Sequence, residues 1–260
     1  MPNLFPVDPA VIQAFLLIFT RVTATLAFMP ILGGQALPTL VKGGFALVTT
    51  IVLFPFIDVS RVPVDIDVLL IGLFVFGEAL IGVATAMVVS LIFAAVQLAG
   101  AAIDFQIGFG IVNVVDPVTN AQVSVTGQLL NITAMLLFMA VNAHHWALIG
   151  LADSFSIVPL CGFSGASGVA NLFIDMMGAV YVTGMQIAAP VTVTLLLKQA
   201  AMGIIARTVP QVNIFIVGFP LTIGLGMMTI AICLPAFSRV LTALFISLGD
   251  KMRLVMFSMA

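Results

Sequence analysis

The feature that most limits this chain is a set of long runs without one charged side chain: residues 43–57, 79–103, 117–152, 176–197 and 208–238. An earlier apolar run, 11–30, is interrupted by Arg21. A helix needs about 20 apolar residues to cross the hydrocarbon of a bilayer. The runs predict six apolar segments near 10–30, 40–57, 68–103, 125–151, 172–206 and 210–248, the third, fifth and sixth too long for one simple span. Helix is the expected state of each, because a helix satisfies its own backbone in lipid, and the short alternating pattern of a membrane barrel is missing from the sequence. The expected class is all-α: an integral membrane-type protein of about six long apolar segments.

Composition removes the competing classes. Of 260 residues, 62% are apolar and 7% charged, and the eight Lys and Arg with ten Asp and Glu cannot coat a globule of this size. Apolar surface left in water drives association at roughly 25 cal/mol per Å², so a water-soluble monomer is excluded. A net charge of −2 without a basic run leaves no footprint for nucleic acid, whose binding rests on phosphate neutralisation. Cys161 and Cys233 show neither CxxC nor Cys/His spacing and read as packing residues rather than a disulfide or zinc site. The first residues have no basic cluster before the apolar run and no small-residue cleavage pattern, so that run is expected to be retained. Without a nucleophile elbow, a Ser/His/Asp arrangement or a phosphate loop, the chain is expected to be neither an enzyme nor a cofactor binder.

The connections 105–115 and 154–174 are almost as apolar as the segments they join, yet carry Gly108, Gly110, Asn113, Pro159, Gly162, Gly165 and Gly168. Irregular backbone at membrane depth is tolerated only where protein buries it or a cavity wets it. A subunit enclosed by partners is therefore expected. Only 58–67 has the polarity of an ordinary loop, and the few Lys and Arg (Arg61, Lys251 and Arg253 against Lys42 and Arg207) set no orientation.

Arg21, Glu78, Asp104 and Lys198 lie within or beside apolar segments, where a charge costs a few kcal/mol or more unless paired or wetted. They read either as structural ion pairs and snorkelling side chains or as parts of a proton or ion relay, although no carboxylate lies between Glu78 and Asp104. Arg21 and Glu78 are the expected partners. His144 and His145, beside Trp146, suit a membrane–water boundary near the end of the fourth segment. Their side chains should diverge by about 100° rather than converge on one metal. Small residues Ala84, Ala95, Ala99 and Gly100 allow helices to approach closely. Residues 210–221 are expected to form a tight connection between the two C-terminal helices: Pro210 lacks an N–H, Gln211 and Asn213 can bond exposed backbone, and Gly218, Phe219 and Pro220 favour a bend.

Four stretches, in order, resemble the FliR/SctT family of type III secretion export-gate subunits. They are Arg21 with Pro30, Pro38 and Lys42; the run 93–100 continuing through 104–109 to Asp116 and Pro117; Asn142 to His145 with Asp153, Ser154, Phe155 and Pro159; and 190–203 with Arg207 and 210–221. The resemblance spans about 10–245, and its Gly218-Phe219-Pro220 ending looks more like the flagellar than the virulence branch. Ala143 stands where the family commonly has Gly, and Lys198 where it is usually apolar.

The resemblance implies bent helical hairpins within a hetero-oligomeric export gate. A FliP-like half, about 1–124, would be followed by 125–260 with a FliQ-like C-terminal hairpin. Implied partners are FliP-type and FliQ-type membrane subunits, FlhB-type and FlhA-type export components, and the unfolded proteins exported. The implied site is the bacterial cytoplasmic (inner) membrane at the base of the flagellum. The stretch 105–120 matches the family's pore plug, with Phe105, Gln106, Ile107, Gly108, Phe109, Gly110, Ile111 and Asn113 as its residues. Chemically, Gly108 and Gly110 permit turns that other residues resist, and Ile107, Phe109 and Ile111 offer apolar bulk to seal a constriction. A loop that merely packs remains open at this point, as do an ion-coupled secondary transporter with broken helices and a virulence-type gate subunit.

Overall fold

The computed structural model describes residues 9–30, 33, 38–60, 62–63, 67–109, 124–163, 168–209 and 213–260. Every regular element among them is helical: α1 (Pro9–Phe28), α2 (Thr39–Leu53) with a 3₁₀ turn (Phe54–Phe56), α3 (Val68–Ile107), α4 (Val125–Ala140), α5 (Ala143–Ile157), α6 (Val169–Thr208), α7 (Ile214–Ile246) and α8 (Leu248–Phe257). Among the described residues, five stretches are long and apolar enough to cross a membrane: Ala10–Phe28, Thr39–Phe56, Leu69–Ile107, Val169–Thr208 and Ile216–Phe257. Taking α4 and α5 as one broken span makes six. The 40-residue α3 and α6 are each about 60 Å long at 1.5 Å per residue, twice the roughly 30 Å of hydrocarbon in a bilayer.

The fourth expected segment is two helices. Val141 and Asn142 separate α4 from α5, and Asn142 sits in the left-handed region at φ 55°, a conformation that Asn tolerates better than most side chains. The C-terminal end also differs from expectation. Ser247 interrupts the last helix, and α8 follows with Leu248, Met252, Val255 and Met256 buried on one face, the i, i+4, i+7, i+8 stripe of an amphipathic helix.

Contacts divide the chain into two compact units. The first comprises Met1–Leu91, Asn142–Asp175 and Ile246–Ala260, and the second Ile92–Val141 and Met176–Phe245. In the first, Ala14, Leu17, Ile18 and Val22 of α1 pack with Leu151, Phe155 and Leu160, and Gly150 lies so close to α8 that a Cβ there would be 2.6 Å from Met252. The second unit is centred on Phe93, Phe138 and Phe245, whose ring centroids lie 5.2–5.9 Å apart, an arrangement of edge-to-face and tilted rings that adds to simple burial. Both units take part of α3, which is 67% buried over an 18-residue apolar stretch of its span. Side chains pointing in several directions from α3, such as Val88, Val89, Ile92, Phe93 and Val96, are covered, as expected for a helix apolar on all sides.

The outward faces are apolar. Leu40, Phe56 and Leu69 are each at least 75% exposed, and α2 is 11% buried over its span, so these faces require lipid or other protein. Threonines within the helices carry the same signature of an apolar solvent. Thr20, Thr25, Thr49, Thr50, Thr85, Thr133, Thr194 and Thr229 each donate to the carbonyl four residues earlier, a bond that satisfies the hydroxyl without water.

Candidate functional site

The buried charges expected from the sequence fall into three separate environments. In the first unit, Arg21 of α1 is fully buried and Glu78 of α3 is 2% exposed, and they form a salt bridge between Nε and Oε2 at 2.5 Å. Gly82, one turn beyond Glu78, makes the approach possible: a Cβ there would sit 2.6 Å from the Arg21 carbonyl oxygen and 2.8 Å from Ala24 Cβ. The rest of the guanidinium serves the end of α5. Nη1 donates to the carbonyls of Ser154 and Val158, both at 2.9 Å, and the Phe155 ring lies 4.4 Å from Cζ. A cation at the C-terminal carbonyls of a helix is favourable by charge as well as by hydrogen bonding. Glu78 Oε1 accepts from the Cys161 N–H at 3.2 Å. Cys161 holds a left-handed φ of 61° and, outside the helices, has its thiol pKa pushed up to about 11, first by burial and then by the Glu78 charge, with Arg21 opposing. The node thus joins α1, α3, the end of α5 and the turn after it, while Arg21 Nη2 has no partner among the described atoms.

The second environment is the end of α3, in the second unit. Here the structure corrects an expectation: Phe105, Gln106 and Ile107 are helical rather than part of a loop. The helix ends at Gly108, φ 96°, where the Gly108 and Phe109 N–H groups both donate to the Asp104 carbonyl, at 3.0 and 3.1 Å. The six-to-one bond to Asp104 and a left-handed glycine form the common helix stop. Ile107 is buried against α7, where a Cβ on Gly226 would come within 2.8 Å of it; it is a packing residue of the helix end. Phe105 faces outward at 80% exposed. The Asp104 side chain crosses to α4, its Oδ1 and Oδ2 accepting from the Thr126 N–H at 3.1 and 3.2 Å. Gly110, Ile111 and Asn113 lie outside the described residues.

The third environment lies between α6 and α7. Lys198 donates to the Thr222 hydroxyl, which donates in turn to the Gly218 carbonyl at 2.6 Å. Asn213 Oδ1 accepts from the Ile216 N–H at 3.3 Å near the start of α7; Pro210 and Gln211 lie outside the described residues. The expected connection is shorter than 210–221, because Gly218, Phe219 and Pro220 all lie inside α7. Phe219 instead faces the end of α3, its Cε1 3.6 Å from where a Cβ on Gly108 would stand. Two residues assigned from sequence to different features therefore meet. The histidines also differ from expectation. They begin α5 rather than end a segment, and their ring centroids are 4.2 Å apart. No group of three or more His, Cys, Asp or Glu among the described residues could hold a metal ion.

Sequence reasoning missed the acceptors on α5 and the turn after it that complete the Arg21 node, and the only cue to them is Ser154 and Pro159 in the third stretch noted above. Comparison with known proteins decides the family. A family model for bacterial export proteins, family 1, matches residues 12–248. The chain belongs to this family. Among its relatives it is 36% identical to the flagellar biosynthetic protein FliR of Bacillus subtilis (strain 168), over 92% of this chain and 93% of that protein. The protein of the same name from Escherichia coli (strain K12) is 32% identical over 83% of this chain and 82% of its own length. That from Pectobacterium carotovorum subsp. carotovorum is 31% identical over 84% and 82%. Family membership covers α1 through α7 and every charged environment described above.

Proposed function

We propose that this chain is a membrane subunit of the flagellar type III protein export gate, helping to form and close the pore through which unfolded flagellar proteins leave the cell. The observation that carries the reading is the near-full-length kinship with bacterial export proteins whose relatives are named for flagellar biosynthesis. The outward apolar faces of α2, α6 and α7 support it, since they leave extensive surface for lipid and for partner helices. The partners in this reading are FliP-type and FliQ-type membrane subunits, with FlhB-type and FlhA-type components nearby. The location is the inner membrane at the flagellar basal body. Residues 1–124 form the FliP-like half and the C-terminal hairpin is FliQ-like. The chain acts by assembly and closure, without chemistry of its own.

In this reading the plug begins at the end of α3, with Phe105 to Phe109 as its root and Gly110, Ile111 and Asn113 beyond it. Arg21, Glu78 and Asp104 hold the subunit in the shape that its partners grip. Extraction of the intact complex in mild detergent, followed by mass measurement, tests the assembly: different small membrane proteins should copurify, whereas a stable monomer or pure homo-oligomer refutes it. Shortening 110–114, which leaves α3 and its packing untouched, tests the plug. The assembled complex should then leak small ions through a hydrated path, and a deletion complex as ion-tight as the parent overturns the plug assignment.

A further inference from the structure

We infer that Lys198 is one half of an ion pair between subunits, and that the seam between α6 and α7 takes a partner helix carrying an Asp or Glu at the level of this ammonium. The inference rests on the proposed place of the chain in a hetero-oligomeric membrane complex, and it names a chemical feature of the partner. Lysine brings three N–H donors and a full charge. Among the described residues a single neutral acceptor meets them, the Thr222 hydroxyl. That hydroxyl has one proton, which it gives to the Gly218 carbonyl at 2.6 Å. It accepts one bond from Lys198 and leaves the charge unbalanced. Gly218 lines the same seam, since a Cβ there would lie 3.9 Å from Lys198 Nζ.

The second unit does not supply the missing anion from its described residues. It contains Lys198, Arg207 and Arg239, against one described carboxylate, Asp104, which accepts from the Thr126 N–H. The two salt bridges among the described residues, Arg21 with Glu78 and Arg253 with Asp153, both lie in the first unit. The other two cations of the second unit are accommodated locally. Arg207 stands in the last turn of α6, where the carbonyl end of a helix favours a positive charge, and Arg239 donates to the Pro235 carbonyl. Lys198 lies in the helix interior and has neither device.

The surroundings favour a carboxylate on a helix over a lipid phosphate. Lys198 is ten residues before the end of α6 and Thr222 eight residues after the start of α7. At 1.5 Å per residue, the ammonium is therefore about 12–15 Å along the hairpin from its turn. Leu196, Leu197, Ile204 and Ile205 flank it on α6, and Ile216 and Val217 lie between it and the turn on α7, all exposed. A headgroup layer or bulk water at the level of Lys198 would bathe these apolar side chains too. An apolar helix packed along the seam covers them and brings its acid to the ammonium in one step. A charge at such depth is tolerated when it is paired across helices.

The test uses the intact detergent-extracted complex and an apolar carbodiimide, which joins an amine to a touching carboxylate as an amide, followed by digestion and mass spectrometry. Lys198 should be linked to an Asp or Glu in an apolar helix of a different subunit. The link is read on the parent complex, so it does not depend on how any variant folds. Lys198→Met keeps the length of the side chain and removes the charge, and it should dissociate from its partners at least about tenfold faster, as when one member of an interfacial charge pair is truncated. Lys198→Arg keeps the charge and should stay within about threefold of the parent. Replacing the linked acid by its amide in the Lys198→Met background removes the stranded charge and should restore most of the lost lifetime. An intact complex in which Lys198 links to an acid of its own chain overturns the inference, as does a Lys198→Met complex that dissociates like the parent. Loss of bound anionic phospholipid in Lys198→Met, without any protein link in the parent, overturns it in favour of a lipid phosphate. If the chain copurifies with no other membrane protein at all, the export-gate reading itself fails, and the inference with it.

Discussion

Truncating Arg21 to alanine should be the most damaging single change in the first unit, and the structure sets its size. Removal of Arg21 leaves the Glu78 carboxylate, 2% exposed, with the Cys161 N–H as its one remaining hydrogen bond among the described residues, and takes away the Nη1 donor from the Ser154 and Val158 carbonyls. Breaking a buried ion pair from one side costs about 3–5 kcal/mol, a large part of the roughly 5–15 kcal/mol that holds a protein folded. Glu78→Ala should cost less, near the lower end of that range, because the stranded guanidinium keeps both carbonyls and the Phe155 ring face. A double Arg21→Met, Glu78→Leu variant removes both charges and fills most of the space, so it should recover to within about 1–2 kcal/mol of the parent. Thermal dissociation of the detergent-extracted complex reads all three. At roughly 2–4 °C per kcal/mol for a chain of this size, Arg21→Ala should lower the midpoint by about 10 °C. The reasoning fails if both single variants melt with the parent, or if the double variant loses as much as the two singles summed.

Three further changes probe packing and the thiol. Gly100→Ala places a Cβ against Gly127 and should destabilise the second unit by about 1–3 kcal/mol, as overpacking does, read as reduced yield of assembled complex and a lowered midpoint. Gly43→Ala on α2 meets nothing within 4 Å and should raise the midpoint slightly, by the equivalent of up to about 1 kcal/mol; a loss there would reveal a partner helix at that face. Cys161, its thiol pushed up by burial from the usual 9.0 to about 11, should be alkylated at pH 8 roughly 100-fold more slowly than an unperturbed thiol, because only thiolate reacts. Its rate should climb steeply toward pH 11, and an unperturbed alkylation rate at pH 8 would contradict the buried setting.

The apolar segments and the partners Arg21 and Glu78 were legible in the sequence because each follows from solvent. A chain with so few charges must place them where another group neutralises them, and Arg21 and Glu78 are opposite charges in the first and third apolar segments, both in the N-terminal half of the chain. The break at Asn142 was not legible, since a single Asn in an apolar run is a residue that tolerates the left-handed region rather than one that requires it. The error at Gly218–Pro220 has a definite energetic cause. Proline removes one helical hydrogen bond and costs about 3 kcal/mol, but opening the helix there would strip several backbone groups of partners, each worth several kcal/mol in an apolar medium. Continuing the helix through Pro220 is the cheaper solution, and α7 takes it.

The same reasoning explains why four intramembrane charges that looked alike in sequence have different fates. Arginine carries five donors on a planar group, so Arg21 can neutralise Glu78 and still close the end of α5. Aspartate is short and accepts only, which suits it to a helix N-terminus within reach, and Asp104 has that of α4 beside it. Lysine places a single charged point on a flexible stem, and Lys198, only partly buried, is met by the Thr222 hydroxyl on α7 rather than by a carboxylate. Which element lies opposite each charge is a property of the tertiary packing, and small residues such as Gly82 and Gly100 set it by allowing two backbones to touch. A charge in an apolar run together with a glycine one turn away on the same face is therefore the local pattern from which the Glu78 and Asp104 contacts could have been read.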